Sequence, residues 1–268
     1  MAAEPQTWHY GLIADYWAEF NDDFRAFEIQ YFQRWVERGG GPALEAGCGT
    51  GRVLIPLLRA GLDVDGCDVS EDMVAHCREK AAREGLSPTL WTQPMHRLDP
   101  PRTYKTVYVC GAFGLGSTRA QDSEALRRFH ACLESGGTLL VDHEVPYASD
   151  AVTWQWWQKT HRPELPRAWR EPDERQRASD GSEYELQSRV LDLDPLEQRL
   201  TLEIRVERWR DGKLEAEETR TLTSTMYLKN EVVLMLRDAG FAKVAVEGDH
   251  NDTPATRDDG FLVFIARA

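Results

Sequence analysis

Three glycines recur at every second position in Gly47-Cys48-Gly49-Thr50-Gly51, directly after the run Ala43-Leu44-Glu45-Ala46. That run reads as a buried strand, and the glycines behind it let backbone adopt positive φ and approach a ligand closely. At the carboxyl end of a strand in an open α/β sheet, such a loop forms the floor of a nucleotide-like site. Asp68 closes the next strand, residues 62–68, and stands 17 residues beyond Gly51. Its two oxygens match the neighbouring hydroxyls of an unphosphorylated ribose, which points to an adenosine-like ligand; the bland alternative is that Asp68 caps the helix starting near Ser70. The dinucleotide fingerprint G-x-G-x-x-G would require glycine at 52, where Arg52 stands, and this counts against a nicotinamide cofactor. A third candidate is His143, between Asp142 and Glu144 at the end of a later strand. It could serve as general base toward a hydroxyl acceptor, or be a structural histidine satisfied by backbone groups.

The elements that must position these residues alternate along the chain. A helix is expected over 53–60, with Gly61 ending it in a left-handed conformation, and another after Ser70, an N-cap followed by Glu71 and Asp72. Further strands are expected near 89–92, 106–110 and 138–143, with a helix over 123–133 before Gly136-Gly137. Strands alternating with helices imply an α/β fold with a parallel sheet covered on both faces. After Val145 the apolar period becomes two: Tyr184, Leu186, Ser188 and Val190 alternate with polar residues, as do Leu200, Leu202, Ile204 and Val206. Asp211-Gly212 between such runs is a strong hairpin signal, so an antiparallel meander is inserted here. A helix over 231–238 ending at Gly240 and strands over 243–247 and 261–266 return the chain to the main sheet. The first forty residues carry Trp8, Tyr16, Trp17, Phe20, Phe24, Phe27 and Tyr31 and read as two or three helices. The expected division is a helical cap over 1–40, a cofactor-binding α/β domain over 41–145 and 228–268, and a β subdomain over 146–227 acting as a lid or as the contact of a homodimer.

The pattern Glu45-x-Gly47-x-Gly49-x-Gly51, the stretch Gly66-Cys67-Asp68-Val69-Ser70-Glu71-Asp72-Met73 and the stretch Leu133-Glu134-Ser135-Gly136-Gly137 closely resemble the class I S-adenosylmethionine-dependent methyltransferases. The resemblance covers residues 40–145 and the strand-helix-strand end. It implies a doubly wound, seven-stranded, mostly parallel sheet and S-adenosylmethionine as cofactor. Carried over by position, it would put Glu45 and Gly47 near the methionine end, Asp68 on the ribose and Val69 against the adenine, with Gly49 and Gly51 completing the loop. The family often carries an acid after the third strand that meets the adenine amino group; here Thr92-Gln93-Pro94-Met95 puts Pro94 in that place. Gln93 could supply a neutral amide instead, and Met95 could cover the ring. Beyond the fourth strand stands Cys110-Gly111-Ala112-Phe113-Gly114, which is not the Asp/Asn-Pro-Pro-Tyr/Phe pattern of enzymes that methylate base or glutamine amino groups. Its small residues suggest a close wall beside the methyl-bearing sulfur, with Cys110 at the cofactor. Tyr16, Trp17, Phe113, Glu144 and Trp154 are the candidate acceptor-pocket residues, and gluing the meander to the main sheet is the duller reading for the aromatic ones.

Composition narrows the partners. The chain has 268 residues with 45 acidic and 32 basic side chains, a formal net charge of −13, so nucleic acid and anionic membrane surfaces are disfavoured. No stretch approaches the roughly 20 apolar residues needed to span a bilayer. The opening Met-Ala-Ala-Glu-Pro-Gln lacks a secretion signal, which suggests a cytoplasmic protein. Five cysteines fit reduced thiols in a core, and no Cys/His array points to a metal. The reading that results is methyl transfer to a nitrogen or oxygen of a small-molecule acceptor. The alternatives are a cofactor-binding protein without turnover and an NAD-dependent oxidoreductase.

Overall fold

Successive side chains of a strand leave opposite faces of a sheet, so a strand buried on both sides feeds two apolar layers in alternation. Residues of β1 (Ala43–Ala46) do this: Leu44 and Ala46 enter one layer and Ala43 the other. The same division holds for Val107 and Val109 against Tyr108 in β4 (Tyr104–Val109), and for Leu139 and Val141 against Leu140 in β5 (Leu133–Glu144). The computed structural model describes residues 7–21, 26–147, 152–172 and 174–268. Phe24, placed by its sequence spacing in an N-terminal helix, lies outside them.

The remaining strands of this sheet are β2 (Val64–Asp68), β3 (Leu90–Thr92), β10 (Lys243–Gly248) and β11 (Phe261–Arg267). The seven run in the order β10-β11-β5-β4-β1-β2-β3; β11 is antiparallel to both neighbours and the other pairings are parallel. The chain moves outward from β1 to β2 and β3 and then returns to the other side of β1 at β4. Ligands bind at such a reversal, beyond the carboxyl ends of the strands.

Helices α2 (Ala26–Gly39), α3 (Leu54–Arg59) and α4 (Glu71–Arg83) cover one face, and α5 (Arg119–Cys132) and α7 (Lys229–Asp238) cover the other. In α4, Met73, Val74, Cys77 and Ala81 recur at helical spacing and are the buried ones. Ser70 is its N-cap, the hydroxyl accepting the Met73 N–H at 3.2 Å. Helix α5 starts four residues before the apolar period suggests, because Thr118 and Gln121 form a reciprocal capping box. Strand β5 starts five residues earlier than expected and absorbs Gly136-Gly137 at a register shift against Tyr104 and Thr106. A Cβ at Gly137 would lie 2.9 Å from the Glu134 carbonyl oxygen, so glycine permits the irregularity.

The second sheet has the order β6-β7-β8-β9, with β6 (Gln176–Arg177), β7 (Glu183–Asp194), β8 (Arg199–Arg210) and β9 (Lys213–Thr225) all antiparallel. Asp211 and Gly212 both have positive φ, as a two-residue mirror-type turn requires. The meander's apolar face, with Tyr184, Ile204, Val206 and Leu222, packs on Trp8 and on Leu12, Ile13 and Tyr16 of α1 (Gly11–Phe20). That face is therefore filled from within the chain. Two backbone bonds tie β9 to the loop after β4: Gly116 N–H to the Thr223 carbonyl at 2.7 Å, and Thr225 N–H to the Gly114 carbonyl at 2.9 Å. A short α6 (Val152–Gln155) lies between β5 and the meander. Among the described residues no helix is long and apolar enough to cross a membrane.

Candidate active site

The glycine loop begins where β1 ends, and its first turn is pinned to the neighbouring strand. The N–H groups of Gly47 and Cys48 both donate to the Cys67 carbonyl, at 2.7 and 2.9 Å. Gly47 has φ +81°, and a Cβ there would lie 2.7 Å from the Ala112 Cβ and 2.8 Å from the Met95 Cε. Only glycine leaves the gap open between this loop, the loop after β4 and the residues after β3. Gly51 plays a different part. A Cβ there would strike Cys77 and Ile55, so this glycine lets α3 and α4 approach and does not line the gap.

Asp68 closes β2 beside the glycine loop. One carboxylate oxygen accepts the Gly49 N–H at 2.9 Å and the other accepts the Ser70 N–H at 2.8 Å. The Val69 amide also favours the charged form, and a carboxylate with about four acceptor positions keeps room for a further donor. Burial pushes the carboxyl up from its ordinary pKa, against these hydrogen bonds, which favour the charged form. At the opposite end Glu45 is fully buried and accepts the Tyr108 hydroxyl at 3.1 Å. Burial raises its pKa well above the carboxylate range, partly countered by Arg52. Arg52 in turn donates to Glu28 of α2 at 2.6 Å and lies 3.3 Å from the Cys110 thiol. A buried carboxylate paired this weakly favours a ligand that brings positive charge.

One cavity joins these groups. Glu45, Gly47, Gly49, Asp68, Val69, Gln93, Met95 and Cys110 all line it, together with Arg52, His96, Ala112, Leu115, Gln121 and Asp122. Thr7, His9 and Asn21 of the N-terminal segment close one side. Tyr10 donates to the Val69 carbonyl at 3.2 Å and Gly11 N–H to Asp72 at 2.7 Å, which fixes the segment over the end of β2. Burial lowers the His9 pKa to about 4, so its ring is neutral.

A second cavity shares Gly111 and Leu115 with the first and is lined by Phe113, Asp142, His143, Glu144, Met226 and Phe261, among others. His143 Nε2 accepts the Tyr227 N–H at 3.1 Å, and burial lowers its pKa to about 4. Asp142 accepts the Gly111 N–H at 2.5 Å and meets His250 Nε2 at 3.1 Å, both side chains being buried.

Known proteins share both the sequence pattern and the fold. Residues 43–137 match a family described as a methyltransferase domain. An uncharacterised methyltransferase of Bacillus cytotoxicus is 31% identical over 149 residues, which is 49% of this chain and 68% of the relative. The chain belongs to the class I S-adenosylmethionine-dependent methyltransferases. A putative methyltransferase of a Geobacillus species is 25% identical over 132 residues, 49% of this chain and 53% of the relative, so the chain spans about half of that relative's length. The sugar N-methyltransferase KedS8 from a Streptoalloteichus species superposes over 100% of both chains with TM-score 0.67 and 19% identity, a likeness of fold.

The donor set fits the family's cofactor: a pair of carboxyl oxygens for the ribose, a buried carboxyl at Glu45 whose charged form a cationic methionine end would favour, and a glycine gap that a single Cβ would fill. Five of the remaining sequence candidates fall elsewhere. Phe113 and Glu144 line the second cavity with His143. Tyr16 is buried against Tyr184 and accepts a hydrogen bond from Gln176, and Trp17 packs beside it, so these two join α1 to the meander. Trp154 packs on Tyr147 and Trp157 and lines neither cavity. Sequence reasoning missed His9, His96 and Gln121 as lining residues; only Gln121 carried a readable signal, the Thr-x-x-Gln capping box.

Proposed function

We propose that the protein transfers the methyl group of S-adenosylmethionine to a nitrogen atom of a small amine held in the cavity beside Gly111 and Leu115. The observation that carries this reading is the state of His143. Its Nε2 is spent on a backbone amide and burial keeps the ring from taking a proton until about pH 4. A hydroxyl acceptor must lose its proton to a base as it attacks, whereas an amine needs only to arrive neutral. His143 in this environment is a positioning residue that holds Tyr227 and the meander's end, and Glu144 adds an acidic group to the same cavity that favours a basic acceptor, which gives its proton to solvent before it enters as the neutral amine.

The cofactor, when bound, supplies a methyl group already activated on sulfur. The chain's part is to orient and to exclude water. Asp68 grips the ribose, and Glu45 with Arg52 receives the amino-acid end. Asp142 fixes the backbone at Gly111, where the two cavities meet. The β subdomain is the outer wall of the acceptor cavity, held shut by the bonds of Gly114 and Gly116 to β9. The net charge of −13 supports a cationic small molecule over a nucleic acid. KedS8, which shares this fold, is a sugar N-methyltransferase, and an amine acceptor agrees with that.

The test is a panel of amino sugars and simple amines, each paired with its hydroxyl counterpart, assayed with labelled cofactor. Transfer to amines, with a pH profile that follows the acceptor's own pKa and is unchanged in His143→Gln, is the expected result. Preference for the hydroxyl partners, or loss of the profile's rising limb in His143→Gln, would refute it. Binding of S-adenosylhomocysteine without transfer to any member of a broad panel would favour the cofactor-binding protein without turnover.

A further inference from the structure

The chain leaves β10 through a turn over Gly248-Asp249-His250-Asn251, closed by the Asn251 N–H donating to the Gly248 carbonyl at 3.1 Å. Both central residues have positive φ, +44° at Asp249 and +56° at His250. Turns of this mirror type favour glycine at the second central position, because an L side chain is strained there. Asp249 has a local reason for its place: its carboxylate accepts the Gly260 and Phe261 N–H groups at 2.9 and 2.8 Å. The His250 side chain instead enters the core and is fully buried. Phe27, Tyr31 and Phe32 of α2 and Phe261 surround it, with ring centroids 5.3 to 5.9 Å away. Its Nδ1 has no hydrogen-bond partner among the described residues. A strained backbone and a buried polar atom without a partner both oppose histidine here. What histidine adds is one bond, from Nε2 to Asp142 at 3.1 Å.

The two oxygens of Asp142 take different partners: Oδ1 accepts the Gly111 N–H at 2.5 Å and Oδ2 faces the imidazole. A carboxylate has no hydrogen to give, so Nε2 carries the hydrogen of the second bond. Gly111 has φ +67° and lines both cavities. We infer that His250 is a positioning residue for methyl transfer, which fixes Asp142 and through it the Gly111 backbone where cofactor and acceptor meet. This inference rests on the amine-methylation reading. Without the imidazole the Asp142 carboxylate is held on one side only and can turn, carrying the Gly111 amide with it. In-line attack needs the reacting atoms about 3 Å apart, and a misplacement of about 1 Å costs up to about a hundredfold in rate. Contacts with either ligand are spread over the rest of the two cavities, so the effect falls on kcat.

Two substitutions separate positioning from folding. The amide of His250→Gln extends as far as Nε2 and can donate to Asp142, whereas that of His250→Asn suits the left-handed turn but falls short of the carboxylate. Turnover is measured with S-adenosylmethionine carrying a labelled methyl group and the amine of the panel above that the wild-type protein methylates fastest, below the melting temperature of every protein compared. The Gly111 amide is followed by NMR in glycine-labelled protein saturated with S-adenosylhomocysteine, its signal assigned by its loss in Gly111→Ala. His250→Asn should lower kcat by about 10- to 100-fold, keep KM for the amine within about threefold, and move the Gly111 signal. His250→Gln should bring kcat back to within about threefold of wild type and return the signal toward its wild-type position. Activity that follows the melting temperatures, with no recovery in His250→Gln, would mark a structural role and overturn the inference. So would a kcat for His250→Asn within about twofold of wild type, or a Gly111 signal that stays in place, and either would leave amine methylation standing. No transfer to any amine by the wild-type protein would overturn both.

Discussion

Asp68→Ala separates the two roles its position allows, holding a ribose and ordering the loop before α4. In the folded chain the carboxylate receives two backbone N–H groups, from Gly49 and Ser70, at 2.9 and 2.8 Å. Gly49 lines the cavity, so water can replace the oxygen lost there, and removal of a buried charge offsets part of the remaining loss. The empty protein should therefore lose no more than about 1 kcal/mol. Burial raises the pKa of this carboxyl, so its ionised form weakens the empty protein at neutral pH and is retained against stability. Two ribose hydroxyls bonded to an ionised acceptor contribute far more, and with water competing in the variant the expected loss is about 2–3 kcal/mol. In a titration with S-adenosylhomocysteine that is a rise in Kd of roughly 30- to 150-fold. Kd is measured by calorimetry and stability by urea unfolding of the same preparations. A Kd within twofold of wild type, with unfolding weakened by more than about 1 kcal/mol, would make Asp68 a cap and refute the ribose assignment.

Two further perturbations test the walls on either side. Gly47→Ala forces a left-handed conformation and places a methyl group against Ala112 and Met95; it should lower stability by about 1–3 kcal/mol and abolish cofactor titration, read by melting and calorimetry. His143→Gln tests proton linkage. The ring's folded pKa, lowered to about 4, lies below its unfolded value, so the neutral ring's contribution is full above about pH 7 and is lost as pH falls toward 4. Glu45 and Asp68, both raised, run in the opposite direction, so the difference between wild type and variant is the informative quantity. Between pH 8 and pH 5 the wild-type advantage over His143→Gln should shrink by about 2 kcal/mol, and a pH-independent difference would show that the imidazole titrates normally in the fold.

The lining of the first cavity was legible because its determinants are local. Glu45, Gly47 and Gly49 lie within five residues, and Asp68 ends the strand that pairs with β1 in register Ala46 to Cys67. Strand alternation, the switch at Asp211-Gly212 and the Ser70 cap are likewise read from neighbours in sequence. Boundaries were less legible where a side chain reaches back along the chain, as Gln121 does to Thr118, or where glycines let a strand continue, as at Gly136-Gly137. The sequence leaves the surroundings of Tyr16 and Trp17 open, because an aromatic helical stripe looks the same whether it meets a ligand or a sheet. Here it meets Tyr184 and its neighbours on the meander. His9 and His96 carry no local sign, since what makes them lining residues is the distant surface they face.

The second cavity illustrates the same physics in reverse. Its wall is assembled from the loop after β4, the end of β5, Leu200 of β8, the end of β9 and Phe261 of β11, segments as far apart as Gly111 and Phe261. No single stretch of sequence encodes it. What joins it to the first cavity is the backbone at Gly111, held from one side by Asp142 and reached from the other through Gly114 and Gly116, which pair with β9. The loop after β4 is thus clamped between the main sheet and the meander. Changes on the meander's edge can reshape the second cavity while β1, β2 and the glycine loop stay in place. On the function proposed above, a chain built this way can change its acceptor without losing its grip on the methyl donor.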